Sequence, residues 1–512
     1  MSSHPPAFPP LHYPTDRGIH HMLFDAADAH PQRIAMRFGN EVTTYREFDG
    51  LANAFGSLLA DRGVRVGNRV AMMASNRPEF ALAVYGILGL GASVVMISPA
   101  WKEAEIDHAA GLTQPCLSIC DGTTDERLPE SSNVLHLDRD NVFDDLMRRS
   151  GRRPQIDADW DATEAVLVFS SGTTGLPKAV RHTHASVGAA TMHWASALGL
   201  SPDDRFQMTT PPFHILGLLN LFASVSAASS IRLHARFDLD EVLRYIEADR
   251  VTLEMVVAPI ALAMANHPDI ERYDLSSLRY IMWGATPVTV SVAERVTERT
   301  GVRFLPAYGA SEVPVITSNP INRPDTWRLD SAGLPIHDLQ MRIADLESGE
   351  VLGSGGVGEI QVKSPSAMTG YLPEEADEDA FVDGWYRTGD VGWIDADGWL
   401  QITDRVKEMI KVKGFQVAPA EVEAVLHGHD DVVDCAVFGV PDEAAGEIVV
   451  AAVQLAPDAT STEADLRALV IDRLASYKQV SRLEFVDEIP RLPSGKVLRR
   501  TLRERYSGDQ GE

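Results

Sequence analysis

Residues 170–178 read SSGTTGLPK and follow the apolar run EAVLVF. Glycines let the backbone approach a ligand closely and turn its N–H groups inward, serine and threonine hydroxyls add donors, and the closing lysine adds a point charge. Such a set grips phosphate. It is not a P-loop, because the spacing G-x-x-x-x-G-K is absent. The chain carries a net charge of −27, so an anionic ligand must be met by local positive charge, and nucleic acid is an unsuitable partner. Two short stretches concentrate that charge: Arg405, Lys407, Lys411 and Lys413 in one, and Lys496, Arg499 and Arg500 in the other. The pair of imidazoles in HTH, residues 182–184, lacks a third metal ligand and reads as local structure or as a neighbour of the phosphate loop.

The elements that must position these groups follow from apolar patterning. Short runs such as RVAMMAS (69–75), VVMIS, AVLVFSS, TLEMVVA, LRYIMWG and RFLPAYG alternate with amphipathic stretches such as 240–250 and 289–300. That alternation is the mark of parallel sheets flanked by helices. After about residue 330 the pattern turns to Gly-rich β structure. Beyond ITDRVKEMIKVKG it becomes an α+β module, with helices near 419–427 and 463–475, strands at 432–440 and 447–455, and a basic helical end. A chain of 512 residues is too long for one core and implies two to four domains.

The run from Phe80 to Trp101 is long enough to span a membrane. Asn76 as a cap with Glu79 three residues on, and GLGAS before VVMI, mark it instead as a buried helix followed by a buried strand. The N-terminus lacks the basic start and apolar run of a signal peptide. Cys116, Cys120 and Cys435 are too few and too odd for a disulfide framework, so a reducing cytoplasm is expected, with Cys116 and Cys120 as core residues.

SSGTTGLPK resembles the phosphate loop of the adenylate-forming superfamily, which includes acyl-CoA synthetases, 4-coumarate:CoA ligases, luciferases and adenylation domains of peptide synthetases. Further segments are similar to that family's motifs, in order and at family spacing: YGASE (308–312), YRTGD (386–390), DRVKEMIKVKGFQVAPAEVE (404–423) and PRLPSGKVLRR (490–500). The resemblance implies an α/β fold in which residues 1–403 form two α/β lobes and a β-rich lobe. Residues 404–512 would form a small, mobile C-terminal domain. It further implies an acid–thiol ligase that uses ATP and Mg²⁺ to make an acyl-AMP, then passes the acyl group to coenzyme A.

The same resemblance assigns roles. Lys496 would bridge the acid and the α-phosphate, Glu312 would orient Mg²⁺, Lys407 would be the hinge, and His214 would gate the acyl pocket from the thiol tunnel. ATP would be held by Ser170, Ser171, Gly172, Thr173, Thr174, Gly175 and Lys178, with the adenine on Tyr308 beside Gly284, Ala285 and Thr286. Ala307, Gly309 and Ser311 complete that side; Asp390 with Arg405 would take the ribose, and Lys411 belongs to the same set. Lys413 and Gly414 would meet coenzyme A. His214, Leu216, Trp283, Gly284, Ala307 and Val313 would line the acyl pocket, with Trp283 setting acyl size.

Three positions depart from the family pattern: Ser311 stands where threonine is usual, Pro306 where Asn or Gln often contacts adenine, and Trp283 where a small residue is usual. The pocket set offers no cation for a second carboxylate, so a hydrophobic aryl, cyclic or medium-chain acid is expected. A carrier-protein phosphopantetheine is the alternative thiol, although KVKGFQVAPAE favours free CoA. A homodimer is left open.

Overall fold

The computed structural model describes residues 8, 11, 13, 16–123, 133–149, 151–170, 177–285, 290–413, 415–442, 445–491 and 496–507. Its first lobe is built on a seven-stranded sheet. Strands Glu164–Ser170, Ser93–Met96, Arg69–Met73, Leu117–Cys120 and Val134–His136 run parallel in that spatial order, and Lys178–Thr183 and Gly370–Leu372 add antiparallel at one edge. The strand EAVLVFS is buried through its five central residues, as a parallel strand covered on both faces must be.

The apolar run that could have crossed a membrane is helix Pro78–Gly89 followed by strand Ser93–Met96. A Cβ on Gly86 would lie 2.8 Å from the backbone nitrogen of Gly56, so this helix and helix Tyr45–Asp61 cross backbone to backbone. No helix among the described residues is long and apolar enough to span a bilayer. The expected cap is displaced by one residue. Arg77 holds the N-cap position and ion-pairs Glu79 at 2.8 Å, while Asn76 turns inward to donate to the Met208 carbonyl.

The second lobe joins two sheets. One has strands Glu41–Thr44, Ile34–Phe38, Ser230–Leu233 and Arg205–Met208 in that order; the other runs Glu254–Val256, Ile281–Trp283, Phe304–Tyr308, Thr317–Ser318 and Leu334–Pro335. The Thr252 amide donates to the Arg205 carbonyl at 2.8 Å and links the two. The β-rich lobe is a meander of Gln340–Ala344, Gly358–Lys363, Trp385–Ile394 and Phe381–Val382, with Leu400–Arg405 pairing against Trp385–Ile394. The α+β module has its own core, built on strands Val432–Asp442 and Gly446–Leu455 and helices Pro419–His427 and Glu463–Arg473. These bounds fall within two residues of those expected. The basic end is helical over Arg499–Ser507.

The β-rich lobe's pairing runs up to the junction. Asp390 stands opposite Arg405, and the Val406 amide donates to the Gly389 carbonyl at 2.9 Å. A turn follows, closed by the Glu408 amide on the Arg405 carbonyl, before the module's first strand at Ile410–Val412. Lys407 lies in that turn.

Candidate active site

A cleft of about 1280 Å³ opens where the lobes and the small module meet. It is large enough for a nucleotide with a second small molecule. Ser170 and Lys178, paired across two antiparallel strands, stand in its wall. The Lys178 ammonium lies 5.3 Å from the centre of the Tyr371 ring. Ser171, Gly172, Thr173, Thr174, Gly175, Thr286 and Gly414 lie outside the described residues.

The segment YGASE follows strand Phe304–Tyr308 as a tight turn. The Ala310 amide donates to Val313 O, and a Cβ at position 309 would sit 2.1 Å from Pro314 O, so only glycine fits there. The turn carries Tyr308, Gly309, Ser311 and Glu312 into the cleft wall with Ala307. Gly284 and Ala285 line it too, and Ala285 holds a left-handed φ of 63°, a conformation that costs a non-glycine residue energy and recurs at functional sites.

Tyr308 does more than offer a ring face. Its hydroxyl donates to Asp390 Oδ2 at 2.5 Å, and Arg405 Nε reaches Asp390 Oδ1 at 2.8 Å. Burial and the neighbouring carboxylate push the Tyr308 phenol well above its ordinary range, so it stays a donor. Glu312 is held likewise: Tyr371 donates to its Oε1 at 2.8 Å, and Tyr386 hydrogen-bonds Tyr371. Behind Glu312, His182 Nε2 meets the Ser311 carbonyl at 2.8 Å. Burial drops His182 to about 4, so it is a neutral structural donor. Among the described residues no group of three or more ligating side chains could hold a metal. A buried carboxylate such as Glu312 suits a hard cation carried mainly on a nucleotide's own phosphates.

The small module contributes Lys407, Glu408, Lys496 and Arg500 to the cleft. Burial and the nearby Arg405 lower the Lys496 ammonium from its ordinary range. Arg499 points elsewhere, to Glu423 at 2.7 Å and the Val437 carbonyl. Lys411 and Lys413 are exposed and form no part of the cleft lining.

His214 stands at the N-cap position of helix Ile215–Ser226 without a side-chain cap bond, and burial lowers it to about 4, leaving a neutral imidazole. Leu216, Gly284 and Ala307 line the cleft with it. Two of the six expected pocket residues are placed elsewhere. Trp283 is 1% exposed and packs on Phe304 in the core beneath the second lobe, because side chains alternate along its strand and Trp283 falls on the inner face. Val313 is fully buried in the main core. A different indole, Trp194 of helix His184–Leu198, borders the cleft. Tyr371 and Trp194 carry no local signal in sequence, whereas Tyr386 opens the YRTGD segment; each reaches the site by tertiary packing. Cys116, expected in the core, is exposed.

With this geometry in place, the comparisons give the class. A family model described as "AMP-binding enzyme" matches residues 23–372, and one described as "AMP-binding enzyme C-terminal domain" matches 421–496. The chain belongs to the AMP-binding enzyme family. A rice protein, "4-coumarate--CoA ligase-like 9" of Oryza sativa subsp. japonica, is 33% identical over 98% of this chain and 94% of its own length. ATP-bound MatB from Rhodopseudomonas palustris superposes with a TM-score of 0.88 at 27% identity, covering 96% of this chain and 99% of that one. The anthranilate CoA ligase AuaEII, in complex with anthranoyl-AMP, gives 0.89 at 25% identity, over 96% and 98% of the two chains.

Proposed function

We propose that this enzyme is an ATP-dependent carboxylic acid:CoA ligase acting through an acyl-AMP. A carboxylate oxygen attacks the α-phosphorus of ATP and pyrophosphate leaves; the CoA sulfur then attacks the acyl carbon and AMP leaves. In the first step an anion attacks an anion, so catalysis is mainly charge neutralisation and alignment. The observation that carries the reading is that Lys496 of the small module lines the same cleft as Glu312, Tyr308 and Arg405 of the large part.

In this reading Asp390 accepts the ribose hydroxyls, braced by Tyr308 and Arg405. Lys178 and the phosphate-loop segment hold the phosphates. Glu312, oriented by Tyr371, would hold Mg²⁺, which supplies charge neutralisation on those phosphates. Lys411 and Lys413 face solvent while Lys496 faces the cleft, which supports a swing about the turn at Lys407 between the two half-reactions. The free thiols Cys116 and Cys435 favour a reducing compartment, and we place the enzyme in the cytoplasm.

Pyrophosphate release on mixing the enzyme with ATP, Mg²⁺ and a panel of carboxylic acids tests the first step, and chromatography of acyl-CoA tests the second. Pyrophosphate release with at least one hydrophobic acid is expected. Absence of release with every acid overturns the reading.

A further inference from the structure

Lys496 enters the cleft from a stretch of chain that strand Val432–Asp442 holds on both sides. Ahead of it, Arg491 lays its guanidinium on Asp434: Nη2 donates to Oδ1 at 2.8 Å and to Oδ2 at 2.9 Å, and Nε donates to Oδ2 at 3.1 Å. Behind it, Arg499 Nε donates to the Val437 carbonyl at 3.0 Å, and Arg503 Nε to the Gly439 carbonyl at 2.9 Å. The two arms also pair with each other. Arg491 and Val497 form an antiparallel bridge, and the Leu498 amide donates to the Pro490 carbonyl at 2.8 Å. Lys496 therefore stands next to the bridge whose other member is Arg491. The anchor under that bridge is itself fixed. Asp434 is 6% exposed, and its Oδ1 also accepts from the Cys435 amide at 2.8 Å and faces His427 Nε2 at 3.3 Å. Against burial, the bonds from His427 and Arg491 hold the Asp434 carboxyl below its ordinary range, so the pair stays ionised. A forked ion pair of this kind fixes direction as well as distance.

We propose that the Arg491–Asp434 pair is a positioning device for the adenylating step: it fixes the arm that leads to Lys496 and so sets where the Lys496 ammonium stands in the cleft. The inference rests on the acid–CoA ligase reading and adds to it two residues that are not among those lining the cleft. A charge that must neutralise two reacting anions works only when held in place, and a displacement of about 1 Å is enough to slow a reaction about 10²-fold. Asp434 precedes Arg491 by 57 residues and lies outside the segments that resemble the family's motifs. Both partners belong to the small module, so the pair travels with it. It should serve the half-reaction that uses Lys496 and leave the other alone.

The test compares the two half-reactions in the full-length protein, with an acid that supports pyrophosphate exchange in the wild type. Arg491→Ala should lower exchange by about tenfold or more, while thioester formation from supplied acyl-AMP stays within about twofold of wild type. In a Lys496→Ala background the same change should lower the residual exchange by less than about twofold, because no ammonium is left to aim; an independent structural effect would multiply instead. Removing Arg491 leaves a buried carboxylate short of its partner and puts the fold at risk. Asp434→Asn, close in shape and uncharged, is therefore measured beside it and should show the same split. Equal losses in both half-reactions, unaltered exchange, or a multiplied loss in the Lys496→Ala background overturns the proposal. Failure of both variants to fold overturns it too, since the pair would then support the module as a whole. Wild-type enzyme that gives no exchange with any acid overturns the ligase reading, and the proposal falls with it.

Discussion

The basic residues of the small module are divided between the cleft, which Lys407 also lines, and solvent. Lys496 and Arg500 line it, whereas Lys411 and Lys413 stand exposed outside the lining. The large part shows no such division. Its side of the cleft is braced by internal hydrogen bonds, Tyr308 to Asp390 and Tyr371 to Glu312, formed within the large part. In the proposed reading ATP is held by the large part, and the two half-reactions would use different basic residues of the module.

The sharpest break in that comparison comes from Lys496→Ala. Adenylate formation should fall by about 10²-fold or more, the scale for losing one preorganised electrostatic group. Thioester formation from supplied acyl-AMP should fall far less. Pyrophosphate exchange and acyl-CoA chromatography read the two steps, and an equal loss in both would contradict the assigned face.

Asp390→Ala attacks the large part instead. It removes the acceptor of two hydrogen bonds, one of them charged, and should weaken ATP binding by about 10-fold or more while leaving acid binding nearly unchanged. Titration calorimetry with ATP checks it, and an unaltered affinity refutes the ribose contact. Lys413→Ala should give the mirror image of Lys496→Ala on a smaller scale. Pyrophosphate exchange stays at the wild-type rate, and the KM for CoA rises by about 3- to 10-fold, the worth of one exposed charge contact. A fall in exchange would mean that the outer stretch already serves the first step.

The smallest effect concerns the junction. Asp404, on the last strand of the β-rich lobe, accepts from the Ala420 amide at 2.9 Å at the start of a helix of the module. Burial raises its carboxyl to about 6, with Arg499 pulling the other way. A raised carboxyl favours the protonated form in the folded chain, so its contribution is full below the unfolded pKa and is lost as pH rises through about 6. Asp404→Asn should therefore gain melting temperature relative to wild type between about pH 4 and 6 and hold that gain above it. A difference that does not change with pH in thermal melts would show that Asp404 ionises as freely in the fold as in the unfolded chain.

The sequence by itself determined the order of elements and the class of chemistry, and it named the segments whose described residues line the cleft. Apolar periodicity and glycine placement are local properties, and a motif such as YGASE brings its own turn, because position 309 admits no side chain. Tertiary structure alone decided which side chains share a space. Trp283 and Trp194 are both indoles in apolar runs, yet strand alternation sends Trp283 into the core, while helix packing sends Trp194 to the cleft wall. Arg499 and Arg500 are adjacent, and one is spent on Glu423 while the other lines the cleft. Tyr371 reaches Glu312 from 59 residues away. Such pairings depend on how strands and helices meet in space, and no short window of residues encodes that meeting.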